Sequence, residues 1–397
     1  MKDPIRLTIW MNMPSFYQDS VFTALAANEG IDLEVVFARE LTADRSDLGW
    51  KKNGGSYQRR TLRTRFGGWE AARIARSQIE RLHVVNGIWA EPAFAAATSV
   101  LARRGVRLAI YAEAPLADDN NSRLMWHRAG RPLKHRFARW LAGKGAALFA
   151  VSHFAEDYYR ALGFKDDRIY PFGYFRDAPG CYPPIAEGSN RNAVTDIVFV
   201  GQLVHRKGLD VLIDAVEPLL DEHRHLKLSV IGRGEDQRSL ESLVHSRGLD
   251  GRVIFEGVVP SDRIPARIAE ADLLVLPSRW DGWGLVVNEA LSVGVPVIVS
   301  DRCGAVDLIE QGVNGFVFQS EHRSDLRRCL QRFLDHPEKR SSLQASAWRT
   351  GQLIGAETAS QYLFDCLRHM IGDLKDRPDA PWRSPADSFQ SHQVGAR

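Results

Sequence analysis

From Leu273 to Ser300 the chain spells out a strand, a glycine-bearing turn, a helix and a second strand, and no other stretch constrains the fold so tightly. Leu273 to Leu276 is short, apolar and rich in branched residues, as expected of a parallel strand buried on both faces. Pro277 ends it. Asp281, Gly282, Trp283 and Gly284 form a turn whose glycines let backbone approach a ligand closely. Leu285 to Val293 then has helical length and composition until Gly294 and Pro296 break it, and Val297 to Val299 is a second buried strand. This order aims the helix's free N–H groups and positive dipole end at the carboxyl edge of a parallel sheet, where anions such as phosphates bind. Asp281 in the turn and Glu289 eight positions later bracket the helix with carboxylates able to accept hydrogen bonds from polyol hydroxyls.

The motif Ser-x-x-Glu-Gly-Phe-Gly, four residues, Glu-Ala, then Gly-x-Pro-Val-Ile is the donor-site signature of retaining GT-B glycosyltransferases of the family 4 type (glycosyl transferases group 1), and this stretch resembles it with intact spacing. It departs in having Asp281 for the first glutamate of the Glu-x7-Glu pair and Trp283 for the usual phenylalanine. The resemblance implies that the first carboxylate, Asp281, touches the donor sugar and that Glu289 holds the nucleotide ribose, with Gly282, Trp283, Gly284 and Leu285 around the donor.

The preceding segments extend the likeness. Asp196 to Val200 reads as a strand followed by Gly201-Gln202-Leu203-Val204-His205-Arg206-Lys207-Gly208, a basic pair on a glycine-bounded loop before a helix, suited to a diphosphate. It resembles the family's Gly-Arg-Leu-x-x-x-Lys-Gly loop. Lys207 carries over directly, Gln202 stands where the family has arginine, and Arg206 is the neighbouring source of charge. Gly232-Arg233-Gly234 resembles the family's next glycine turn, and Gly257 to Pro260, with Val258, the loop whose backbone reads the nucleobase. Asp301 to Asp307 and Gly312 to Gly315 resemble later family turns. The likeness covers the second half of the chain in sequence and the first half in topology alone.

The first half opens with a strand, Ile5 to Trp10, a turn, a helix and a strand, Ile31 to Ala38. It lacks Gly-x-Gly-x-x-Gly, which disfavours a dinucleotide site and with it a dehydrogenase. In GT-B enzymes the first loop faces the acceptor, so the resemblance makes Ser15, Tyr17 and Gln18 acceptor candidates, with Asn86, Trp89 and His127 further along. Glu113 ends a strand and faces the cleft, either to accept a hydrogen bond from an acceptor hydroxyl or to pair with an arginine. Lys51 to Arg65 carries six basic and no acidic residues and reads as a loop with little core-forming content. Arg131 to Gly143 is amphipathic, as a membrane-surface helix would be, but is read as a helix packed on the first domain's sheet, since a globular domain needs such helices anyway. A capping pattern runs from Ser152 to Glu156, and His83, entering an apolar run, is expected to be structural.

These segments divide the 397 residues into an acceptor domain at 1–175, a Pro/Gly/Asn/Ser-rich linker at 176–193, a donor domain at 194–350, a helix returning to the first domain at 351–372 and a disordered tail at 373–397. The fold expected is α/β, of GT-B architecture, two Rossmann-like doubly wound domains facing a cleft. Residues 1–193 hold 28 Lys plus Arg against 20 Asp plus Glu, and the remainder 24 against 29, so a basic first half adjoins an acidic second. Nucleic acid, anionic lipid and a phosphorylated acceptor would each satisfy that charge; the resemblance selects a nucleotide sugar with a glycan or lipid-linked acceptor, adds an anionic membrane surface, and leaves nucleic acid out. No apolar run approaches bilayer length, and the four scattered cysteines suggest neither a zinc site nor a disulfide framework, which fits a cytoplasmic enzyme, peripheral at the inner face of the membrane if its basic half binds lipid.

The function implied is retaining, metal-independent transfer of a hexose-type sugar from a nucleotide-diphosphate donor, with no cofactor beyond that co-substrate, in bacterial surface polysaccharide or glycolipid assembly. Lys207, Arg206, Asp281 and Glu113 are the catalytic candidates. A nucleotide-sugar 2-epimerase of the same fold and a catalytically weak partner subunit are the alternatives, the latter suggested by Gln202 and Asp281.

Overall fold

The structure, a computed structural model, describes residues 3–42, 55–63, 67–88, 91–115, 131–176 and 195–383. Two all-parallel sheets organise it. The first has seven strands in the order β3-β2-β1-β4-β5-β6-β7. They are β1 (Ile5–Met11), β2 (Ile31–Phe37), β3 (Gln58–Thr61), β4 (Leu82–Asn86), β5 (Leu108–Glu113), β6 (Ala147–Val151) and β7 (Ile169–Phe172). The second has six, in the order β10-β9-β8-β11-β12-β13: β8 (Thr195–Val200), β9 (Leu226–Ile231), β10 (Val253–Gly257), β11 (Leu273–Leu276), β12 (Val297–Ser300) and β13 (Gly315–Phe318). Helices α1 (Phe16–Ala26), α2 (Gly67–Ser77), α3 (Pro92–Arg103), α4 (Arg131–Gly143) and α5 (His153–Ala161) cover the first sheet. The second carries α6 (Leu209–Glu222), α7 (Gln237–Ser246), α8 (Ile264–Ala269), α9 (Leu285–Ser292), α10 (Arg323–Leu334) and α11 (Arg340–Leu353), and α12 (Ala356–Ile371) returns to pack on α1.

Parallel strands need buried faces on both sides, and the apolar runs supply them: Val297, Ile298 and Val299 of β12 and Leu273 through Leu276 of β11 are fully buried. Strand order reverses between β1 and β4 in the first sheet and between β8 and β11 in the second. Ligands bind in doubly wound sheets at such switch points, outside the strands' carboxyl ends. In the second sheet those ends carry 201–208 and 277–284, the two loops singled out in the sequence. Among the described residues no helix is long and apolar enough to cross a membrane.

Three expectations are corrected. The basic stretch 51–65, expected as a loop, contains β3, which pairs with β2 from Glu34↔Gln58 to Phe37↔Thr61, while Tyr57 and Leu62 are buried. Its arginines fit an edge strand because they have partners: Arg60 reaches Glu34 at 2.8 Å and Arg59 lies over the Phe37 ring. The tail expected to be disordered from 373 is packed as far as 383. Trp382 is buried against Phe175, Tyr362 and Phe172, and Arg377 donates to the Asp166 and Ile169 carbonyls, both at 2.9 Å. Residues 384–397, like nearly all of the expected linker, lie outside the described residues. Finally, Ser152 does not cap α5: its φ is 76°, its buried hydroxyl makes no hydrogen bond among the described residues, and Asp307 from the second domain accepts the His153 N–H at 2.9 Å.

Candidate active site

Glycines bring the second-domain loops together. Gly208 has φ +67°, and a Cβ there would sit 2.2 Å from the Pro277 carbonyl oxygen; a Cβ at Gly232, φ +137°, would sit 1.8 Å from that of Gly201. Only glycine permits both the backbone conformation and the approach. Arg279 fastens the same seam. It forms a bidentate pair with Asp210 at 2.8 and 2.7 Å and donates to the His205 carbonyl at 2.7 Å, while its N–H bonds the Arg206 carbonyl at 2.8 Å. Burial opposes ionisation of Asp210, yet the Arg279 pair outweighs it and holds the carboxyl below its usual range.

On this base Lys207 Nζ donates to Asp281 Oδ2, both side chains nearly buried at 12% and 13% exposure. Arg206 stays exposed beside them, its Nη1 3.5 Å from the Trp280 carbonyl. Helix α9 starts at Gly284, φ +93°, with no side-chain cap, and among the described residues the N–H groups of Gly282, Trp283, Gly284 and Leu285 have no backbone acceptor. A lysine, an exposed arginine and an uncapped helix start thus converge at the switch point, where a polyanion finds donors and positive potential together.

Glu289, one helix face further in, is buried at 8% exposure and accepts from Arg176 Nη1 at 2.6 Å. Burial raises its pKa to about 7 against the pull of Arg176. Trp283 does not present its ring to a ligand. The indole is 2% exposed, donates to Asn288 Oδ1 at 2.8 Å and lies on Gly173, where a Cβ would meet it at 2.4 Å. Its expected donor contact therefore reduces to its backbone. Gln202, Arg233 and Val258 are exposed on the neighbouring loop ends.

The first domain closes the other side. A Cβ on Gly282 would meet Glu113 Oε2 at 2.2 Å, so the β5 carboxylate touches the 281–284 turn. Glu113 keeps an accessible surface while protein stands on both sides of its carboxyl, and that desolvation raises its pKa, opposed by a 2.5 Å hydrogen bond from Tyr174 Oη and reinforced by the charge of Asp281. Tyr174 also meets Tyr17 at a tilt and Tyr111 edge-on, with ring centroids at 5.1 and 5.8 Å, and the Tyr111 hydroxyl donates to the Gly173 carbonyl at 2.9 Å, while Gln18 is buried nearby on α1. Ser15 Oγ is buried with no hydrogen-bond partner among the described residues, and Asn86 ends β4 at the switch point. Trp89 and His127 lie outside the described residues. His83 is fully buried, accepts from Trp10 Nε1 at 3.1 Å, and burial lowers its pKa to about 4.

Tyr174, Arg176 and Arg279 were not singled out in the sequence. The first two sit in the Pro-Phe-Gly-Tyr-Phe-Arg segment, Pro171 to Arg176, where the sequence marks only the passage from the first domain into the linker.

Residues 187–349 match the family model described as glycosyl transferases group 1. The second domain thus resembles the group 1 glycosyltransferase domain. Alpha-D-kanosaminyltransferase of Streptomyces kanamyceticus is 28% identical over 232 residues, 56% of this chain and 60% of that protein. The chain spans less than two thirds of the length of the curated relatives it matches. The crystal structure of Anabaena HepE in complex with UDP superposes with TM-score 0.68 at 17% identity, covering 93% of this chain and all of that one. Sucrose-phosphate synthase from Thermosynechococcus elongatus gives 0.67 at 16% identity over 93% of this chain. The architecture is GT-B, with the second domain supplying the Lys207, Asp281 and Glu289 wall and the first domain the Glu113 and tyrosine wall.

Proposed function

We propose that this protein transfers a hexose-type sugar from a nucleotide-diphosphate donor to a hydroxyl of a glycan or lipid-linked acceptor, with retention at the anomeric carbon and without a metal ion, in surface polysaccharide or glycolipid assembly. The observation that carries the reading is the convergence of Lys207, Arg206 and the uncapped start of α9 at the second sheet's switch point, with Glu289 eight residues after Asp281. Breaking the bond from the anomeric carbon to the phosphate oxygen puts negative charge on the departing diphosphate. Preorganised positive groups are the largest lever on that step. Lys207, Arg206 and the N–H groups of residues 282–285 take this role, and Glu289 accepts from the ribose hydroxyls.

The acceptor hydroxyl then attacks the same face of the sugar and gives its proton to the departing diphosphate oxygen, so no protein nucleophile is required. Asp281 leans on the donor sugar. Glu113, its proton affinity raised, orients the acceptor from the opposite wall, beside the partly exposed Tyr17 and Tyr174. Membrane approach through the basic first half would deliver a lipid-linked acceptor.

Incubation with nucleotide sugars in the presence of a chelator, with NMR of the product, tests the reading. UDP-sugars come first, because the Anabaena protein's crystal holds UDP. Release of nucleoside diphosphate with an axial donor giving an axial product is expected. Inverted product removes the retaining mechanism, and donor altered at C2 without transfer indicates epimerisation.

A further inference from the structure

The segment that leaves β7 threads the cleft and touches both walls. Tyr174 donates to Glu113 on the acceptor side, Gly173 and Phe175 pack on Trp283, and Arg176 crosses to Glu289 on the donor side. Arg176 is itself confined: its side chain is 13% exposed, and the same Nη1 that reaches Glu289 lies 3.3 Å from the Ser261 carbonyl. Charged groups on the elements packed against α9 are otherwise engaged. Arg267 pairs with Asp196 and Glu256, Arg340 lies over Phe333 and near Thr195, Arg349 reaches Ser346, and Asp307 is held by His153 and Arg383. Among the described residues Arg176 is therefore the counter-charge of Glu289.

We propose that Arg176 is a positioning residue of the donor site: it orients the buried Glu289 carboxylate for the ribose hydroxyls and favours its charged form, and so makes the seat of the nucleotide depend on the segment crossing between the domains. This rests on the reading of Glu289 as the ribose acceptor. A carboxylate so deeply buried is protonated unless a cation stands beside it. Protonated, it surrenders one acceptor site and loses its charge-assisted bonds, which are about twice as strong as neutral ones. With Arg176 present, Glu289 titrates near 7; without it, burial alone acts and the titration moves higher.

The test is calorimetric titration of wild type, Arg176→Met and Arg176→Lys with UDP and, separately, with inorganic diphosphate, which has no ribose. At neutral pH, Arg176→Met is expected to weaken UDP roughly tenfold, the equivalent of one charge-assisted hydrogen bond, and to leave inorganic diphosphate unchanged. Raising the pH by about two units ionises Glu289 and should recover most of the loss, and Arg176→Lys should bind within about threefold of wild type. Unchanged UDP affinity in Arg176→Met, or equal loss for UDP and inorganic diphosphate at every pH, overturns the proposal alone. A wild-type protein that binds inorganic diphosphate but neither UDP nor any other nucleoside diphosphate overturns the ribose reading and this proposal together.

Discussion

Replacing Lys207 with methionine separates the two things its ammonium does. In the folded protein it neutralises Asp281, and both side chains are nearly buried. Removing one partner of such a pair leaves an uncompensated carboxylate, which here also faces the raised carboxyl of Glu113. Breaking a buried pair costs about 3 kcal/mol at the lower end of measured cases, and that end applies because the cleft admits some water. For a domain of this size about 3 kcal/mol corresponds to a melting decrease of roughly 6–12 °C. If Lys207 also stabilises the departing diphosphate, kcat falls about a hundredfold or more, as for loss of one preorganised donor. The double variant Lys207→Met/Asp281→Leu removes both charges, so it should regain most of the lost melting temperature and none of the activity. Differential scanning calorimetry and donor-turnover kinetics on the wild type, both single variants and the double variant provide the complete cycle. A Lys207→Met protein that melts with the wild type, or a double variant that regains turnover, would refute the reasoning.

Other changes report on separate parts of the cleft. Gly282→Ala places a methyl group against the mobile end of Glu113, so melting should change by less than about 1 kcal/mol equivalent while turnover drops, a split that parallel melting and rate measurements would reveal. Gly232→Ala meets the Gly201 backbone and a positive φ, neither of which can yield easily, and should destabilise by about 3 kcal/mol or more in denaturant titration. Asp307→Asn tests the interdomain contact with His153. Burial lowers the His153 pKa but the 2.5 Å bond and charge of Asp307 outweigh it, so its pKa is raised; that contribution is full below the ordinary histidine pKa and lost as pH rises through the folded value. Asp307, despite its burial, is held below its usual range, and its contribution is lost on acidification. The melting difference between wild type and Asp307→Asn should therefore peak in mildly acidic solution and shrink on either side; a difference independent of pH would refute the assignment.

The donor-side loops were legible because their geometry leaves a residue-type trace. Gly208 and Gly232 are required by positive φ and by carbonyl oxygens that a Cβ there would meet at 2.2 and 1.8 Å, and the buried strands β11 and β12 are written in branched apolar residues. Pairings between distant segments leave no such trace. Arg176 and Glu289 lie 113 positions apart, and His153 and Asp307 lie 154 apart, so neither spacing nor periodicity marks them. The capping pattern at Ser152 misled because a local sequence cannot show that a second domain will deliver a better acceptor. Strand β3 was hidden by its arginines, whose stems and charges are satisfied by Phe37 and Glu34. In the tail, Ala380 and Trp382 are two buried residues in an otherwise polar stretch, too few to outweigh its composition.

The central claim is that the cleft seats a nucleoside diphosphate between Lys207 and Glu289. Thermal melting with UDP, GDP, ADP and TDP, each with a chelator, tests it most directly. A ligand at a hundred times its dissociation constant adds about 2.7 kcal/mol to the native state, a shift of several degrees. The account predicts such a shift with at least one of the four, absent in Glu289→Ala and reduced in Lys207→Met; no shift with any nucleotide, with or without added metal, would contradict it.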